Sequence, residues 1–77
     1  MKIKIYAMLK EYFADEIECM SSLETIGALK LELIARNPSA KEILDISRFA
    51  VNNTFVALDY PLHSGDFIDV IPPSSGG

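Results

Sequence analysis

Seventy-seven residues, 49% of them apolar and 23% charged, with a net charge of −4 at neutral pH, make one small domain with the balance of an ordinary soluble globular protein. A single core must hold it without staples: the one cysteine, Cys19, excludes an internal disulfide, and one Cys with one His falls short of the usual four-ligand zinc set. No apolar run is long enough to span a bilayer and the seven basic residues are too scattered to track phosphates, so neither a membrane nor a nucleic acid is an expected partner.

The chain opens with lysines alternating with apolar residues, where a secretory signal has a basic head and an unbroken apolar run; the expected location is the cytoplasm. The same alternation predicts a first strand over Lys2–Leu9, with Ile3, Ile5, Ala7 and Leu9 on one face and Lys2, Lys4, Tyr6 and Met8 on the other. A short turn or helical piece follows around Lys10–Phe13. Glu16–Met20 then alternates again, Ile17 and Cys19 inward and Glu16 and Glu18 outward, which predicts a hairpin with the first strand.

Ser21 followed by Glu24 is a capping-box pattern and predicts a helix starting there. Leu23, Ile26, Leu29, Leu33 and Ile34 recur at three- and four-residue spacing, and Asn37-Pro38 ends the run. Gly27 costs that helix about 1 kcal/mol relative to alanine, which suggests a close approach to the sheet. Ser39 and Glu42 form a second capping box for a short helix to Ile46, packing through Ile43, Leu44 and Ile46.

Phe49–Val51 and Thr54–Leu58 return to β character across Asn52-Asn53, residues that tolerate the left-handed backbone of a tight hairpin turn. Turn signals at Asp59-Tyr60-Pro61 and His63-Ser64-Gly65-Asp66 lead to a last strand over Phe67–Ile71. The order β-β-α-(short α)-β-β-β predicts an α+β fold of the β-grasp type: a mixed sheet of four to five strands, first and last strands adjacent at its centre, one main helix across one face and a short second helix.

One face of that sheet has no internal partner. Ile68 and Val70 point one way from the last strand and Phe67, Asp69 and Ile71 the other, so Tyr6, Met8, Phe67 and Ile71 fall on the side the helix leaves bare, with Phe55 extending the patch. A contiguous aromatic and aliphatic patch on a charged chain marks a partner surface.

The chain closes on Pro72-Pro73-Ser74-Ser75-Gly76-Gly77, read as a flexible tail over residues 74–77 behind a domain over residues 1–73. The prolines fix φ and keep the tail projecting; Gly76 and Gly77, without Cβ atoms, let the backbone pass through a narrow channel. A terminal carboxylate with a pKa of about 3.5 is ionised at neutral pH and is a poor electrophile until activated. An acyl-adenylate supplies a leaving group, and attack by a sulfur nucleophile then leaves a C-terminal thiocarboxylate. With no phosphate-binding glycine loop and no Cys/His or Ser/His/Asp set, the chain is expected to be a substrate of an ATP-using activating enzyme, binding no cofactor and catalysing nothing alone.

Val51-Asn52, Pro61-Leu62, Gly65-Asp66 and the closing Pro72-Pro73-Ser74-Ser75-Gly76-Gly77 resemble the pattern of the small-subunit family of molybdopterin synthase, ubiquitin-like sulfur carriers, and Tyr6–Phe13 is similar to that family's aromatic-Ala-x-Leu-Arg-Glu segment. Lys10 stands where that family usually has arginine and Ser74 where it usually has valine; lysine does not reproduce a bidentate arginine contact. The resemblance implies that a ubiquitin-activating-like adenylyltransferase adenylates Gly77, that a sulfur donor enzyme converts it to a thiocarboxylate, and that the tail enters the large catalytic subunit. There two deliveries of sulfur to a cyclic pyranopterin monophosphate build the dithiolene of molybdopterin, in a heterotetramer with a carrier at each end of a dimer of large subunits. The resemblance also implies that Tyr6, Phe55 and Ile71 belong to the docking face.

The remaining candidates have plainer readings. Cys19 is expected to be a buried thiol, His63 a solvated turn residue, and Glu16 and Glu18 a solvated strand face. Two other functions share the fold and the Gly-Gly end: a sulfur carrier for thiamine or tRNA thiolation, and a ubiquitin-like modifier joined through Gly77 to lysines. A binding module whose tail is incidental is a third alternative.

Overall fold

The computed structural model describes residues 1–19 and 22–73. Strands β1 (Lys2–Ile5), β2 (Glu16–Glu18), β3 (Arg48–Val51), β4 (Thr54–Val56) and β5 (Phe67–Ile71) form one mixed sheet in the order β2-β1-β5-β3-β4. β1 and β5 run parallel, with Ile3 opposite Ile68 and Ile5 opposite Val70. All other neighbours are antiparallel. The expected β-grasp is therefore present with five strands, β5 at the centre and β1 beside it.

Helix α1 (Ile26–Arg36) covers one face through Ile26, Leu29 and Leu33, which join Ile3, Ile5, Phe49, Val51, Ile68 and Val70 in the core. Helix α2 (Lys41–Asp45) adds Leu44. Removing a leucine- or isoleucine-sized side chain from water contributes about 1.5–3 kcal/mol, so these few residues supply most of what holds a chain of this size together.

Several local expectations change. The first strand ends at Ile5, not Leu9, because Ala7 takes a φ of 52° and turns the chain into a 3₁₀ turn over Ala7–Glu11. A left-handed non-glycine residue costs about 1–2 kcal/mol and breaks a strand's pleat. Leu9 still reaches the core, from that turn, while Ala7 is exposed.

Helix α1 is capped by Thr25, whose Oγ1 accepts from the Ala28 amide at 3.1 Å, and residues 22–24 are not helical; Ser21 lies outside the described residues. The reason is tertiary. The amides of Ile26 and Gly27 donate to the carbonyls of Tyr60 (3.1 Å) and Leu58 (2.7 Å), and Leu62 donates to Glu24 at 2.8 Å. The loop after β4 thus satisfies first-turn amides that a helix leaves unpaired, and fixes where the helix begins. A Cβ on Gly27 would lie 3.2 Å from the Leu58 carbonyl oxygen, so the close approach is to this loop and not to the sheet.

The second capping box does not form. Asn37, not Ser39, is the cap: its Oδ1 accepts from the Ser39 amide at 3.2 Å and opens a 3₁₀ turn over Pro38–Ala40 that runs into α2. Ile43 is half-buried but Ile46, expected to pack, is 64% exposed because the helix ends at Asp45.

The Asn52-Asn53 turn forms as predicted, with φ of 49° and 71°. Asn52 also ties it to β5: its Oδ1 accepts from the Phe67 amide at 3.1 Å, its Nδ2 donates to Asp66 at 3.2 Å, and its amide donates to the Phe67 carbonyl at 2.9 Å.

Candidate docking face and tail exit

Strand alternation decides what the helices leave uncovered. Ile68 and Val70 of β5 are sealed in the core, so Phe67, Asp69 and Ile71 face the other side. The register extends this row across the sheet: Lys4 and Ala50 flank Asp69, and Arg48 lies opposite Ile71. Beyond them Glu16 pairs with Lys4 and Phe55 with Ala50. Tyr6, extended at the end of β1, donates its hydroxyl to Asp69 Oδ1 at 3.0 Å. Four of the five expected patch residues, Tyr6, Phe55, Phe67 and Ile71, are thereby gathered around the outer side of β5. Phe55 is 49% exposed and Phe67 38%, while Tyr6 and Ile71 are half-buried.

Met8 is the exception. It sits half-buried on the 3₁₀ turn, so the strand row that was to place it beyond Tyr6 does not exist.

Charge is woven into the aromatic patch. The Arg48 guanidinium lies 3.8 Å from the centroid of the Phe55 ring and Lys4 Nζ lies 5.4 Å from that of Tyr6. These are cation-π distances. Loss of solvent, followed by the hydrogen bond and negative charge of Asp69, raises the Tyr6 phenol above its ordinary pKa of 10.0. Tyr6 is accordingly a hydrogen-bond donor across the whole physiological range.

The patch continues into the tail. Pro72, next after β5, is buried and Pro73 is exposed, so the chain leaves the sheet beside Ile71 from a fixed base. Ser74, Ser75, Gly76 and Gly77, the expected tail and sulfur-carrying end, lie outside the described residues.

The other sequence candidates stand apart. Cys19 is buried in the core cluster, as alternation predicted. His63 is an exposed turn residue whose amide donates to Asp66 Oδ2 at 2.8 Å, and Glu16 and Glu18 are exposed. Among the described residues no group of three His, Cys, Asp or Glu side chains is placed to hold a metal, and no helix is long and apolar enough to cross a membrane.

Two residues of this face escaped the sequence reading. Alternation pointed Asp69 outward but gave no sign that it is 8% exposed or bonded to Tyr6, and Arg48 was not singled out. The signal needed was cross-strand register, which two strands distant in sequence do not disclose singly.

Comparison with known proteins agrees with the fold and the resemblance. The pattern of the ThiS family matches residues 3–77. The molybdopterin synthase sulfur carrier subunit of Escherichia coli (strain K12) is 30% identical over 80 aligned positions, covering 100% of this chain and 99% of that protein. The solved structure of SAMP1 from Haloferax volcanii superposes with a TM-score of 0.80 at 22% identity, over 99% of this chain and 97% of that one. The Helicobacter pylori 26695 complex of subunits 1 and 2 of molybdopterin-converting factor contains a chain that superposes with a TM-score of 0.70 at 22% identity, over 99% of this chain and 96% of that one. At such identities the two structures speak for the β-grasp fold alone. The family match runs nearly end to end and the curated relative shares the full length, so the chain belongs to the ThiS family.

Proposed function

We propose that the chain is the sulfur carrier subunit of a molybdopterin synthase. One observation carries the reading: the central strand β5 presents Phe67 and Ile71 on its outer side and is followed in sequence by Pro72, Pro73 and the segment that closes on Gly76-Gly77. A docked face and the base of the tail on one strand fix where the tail leaves the domain relative to whatever covers the face. The E. coli relative is named as the sulfur carrier subunit of molybdopterin synthase, which supports a further, catalytic subunit as the partner.

The chemistry follows from the terminal carboxylate. Its oxygen attacks the α-phosphorus of ATP on an adenylyltransferase, pyrophosphate leaves, and the acyl-adenylate forms at Gly77. Hydrosulfide released by a donor enzyme attacks the carbonyl carbon, the bond to AMP breaks, and the sulfur remains on Gly77 as a thiocarboxylate. Ser74 and Ser75 are small, and Gly76 and Gly77 carry no side chain, so the arm is slim enough to thread into the large subunit. There the sulfur passes to cyclic pyranopterin monophosphate, water takes its place on the acyl carbon so that Gly77 returns to a carboxylate, and two such deliveries form the dithiolene. Tyr6, Phe55, Phe67 and Ile71 are the docking residues. The working assembly is a cytoplasmic heterotetramer of two carriers on a dimer of large subunits.

Deletion of Gly77 tests this. The shortened chain should fold and bind the large subunit as before yet support no molybdopterin formation in a reconstituted assay. Normal product from that chain would refute the carrier role.

A further inference from the structure

The docking face holds a carboxylate that the chain itself leaves half-satisfied. Asp69 is 8% exposed, on the outer side of the central strand, and among the described residues its one hydrogen bond is the neutral donor Tyr6 at 3.0 Å. A carboxylate offers about four acceptor sites, of which the Tyr6 hydroxyl occupies one.

Of the cations that the register places around it, Lys2 lies opposite Phe67, and two are turned to aromatic rings. Lys4, its neighbour across β1, lies over Tyr6, and Arg48, on β3, lies over Phe55. Glu16, beyond Lys4 on β2, is itself an acid. Ala50, opposite on β3, adds only a methyl group and is itself buried, so two short side chains form a floor among the longer Tyr6, Phe67, Ile71 and Phe55.

Covering this face removes the remaining water. A carboxylate sealed under an apolar partner with one neutral donor opposes docking, whereas one met by a charged donor contributes to it. We propose that Asp69 is a specificity-determining residue of the docking face and receives a cationic side chain, an arginine or lysine, from the large subunit. The inference rests on the docking reading above and deepens it: the partner that fits carries an apolar surface with one positive charge set to reach the floor beside Tyr6. A chain of net charge −4 favours a basic partner in the same sense.

The test is calorimetric titration of the full chain with its own large subunit, for the unsubstituted protein and for Asp69→Asn, Tyr6→Phe and Lys4→Met. Asp69→Asn keeps an oxygen for the Tyr6 hydroxyl and removes only the charge. The expected result is a weakening of roughly thirtyfold or more, with Tyr6→Phe and Lys4→Met each costing far less. Unchanged or tighter binding by Asp69→Asn would overturn the inference and leave the docking reading standing. An equal loss in Tyr6→Phe or Lys4→Met would also overturn it, by showing that Asp69 acts through the tyrosine or through this chain's own lysine. No binding by the unsubstituted chain would remove the docking reading and this inference together. Should Asp69→Asn fail to fold, Asp69→Ala carries the same expected loss.

Discussion

The two sides of β5 are made by the same five residues and behave as different materials. Inward, Ile68 and Val70 are sealed against α1, with no polar group among them. Outward, Phe67 and Ile71 remain in reach of water and share the surface with a buried acid, a phenol and two cations held over rings. The inner side is completed by this chain and needs only shape and apolar volume. The outer side is incomplete as it stands, and its polar groups are arranged for something that arrives later.

That contrast separates the effects of substitution. Ile68→Ala, on the inner side, should cost about 2–5 kcal/mol in urea unfolding, a large part of the stability available to a domain this small. Loss of under 1 kcal/mol there would mean that the core is not where the fold is held. Ile71→Asp and Phe55→Asp, on the outer side, should leave the unfolding midpoint nearly in place and weaken association with the large subunit by roughly thirtyfold or more, since each buries an unpaired charge on docking. Equal affinity in calorimetry would place the interface on another face.

Smaller effects belong to the scaffold that holds both sides. Thr25→Ala removes the cap of α1 and should cost about 1 kcal/mol, read as a lower thermal midpoint with binding unchanged once folded. The smallest effect concerns acid. Asp45 is held below its ordinary 3.8 by hydrogen bonds from Lys41 (2.8 Å) and Lys30 (3.0 Å), a clamp between α1 and α2. A depressed carboxylate contributes stability above its unfolded value and loses it as pH falls through the folded one. The thermal midpoint should therefore drop below pH 3.8 by slightly less in Asp45→Asn than in the parent chain. Identical acid profiles would show that the clamp contributes nothing.

How much of this was legible in the sequence depends on the range of the interaction. Alternation located the inward isoleucines, the inward Cys19 and the bare face, because a period of two is a local property. The Asn52-Asn53 turn was legible for the same reason. The start of α1 was not: Ser21 and Thr25 are both plausible caps, and the choice is made by carbonyls of Leu58 and Tyr60 from a distant loop. Met8 was misplaced because nothing in the residue type announces a left-handed Ala7. Asp69 was seen but not understood, since its hydrogen-bond partner Tyr6 is sixty-three positions away in sequence. The Gly-Gly end, read from residue type alone, lies outside the described residues.

The most direct test of the carrier role is intact-protein mass spectrometry after incubation with ATP, a sulfur source and the cell's activating enzyme. The expected result is exchange of one oxygen for one sulfur, mapped by fragmentation to Gly77. An unshifted mass, under conditions in which the same enzyme thiolates another carrier, would contradict it.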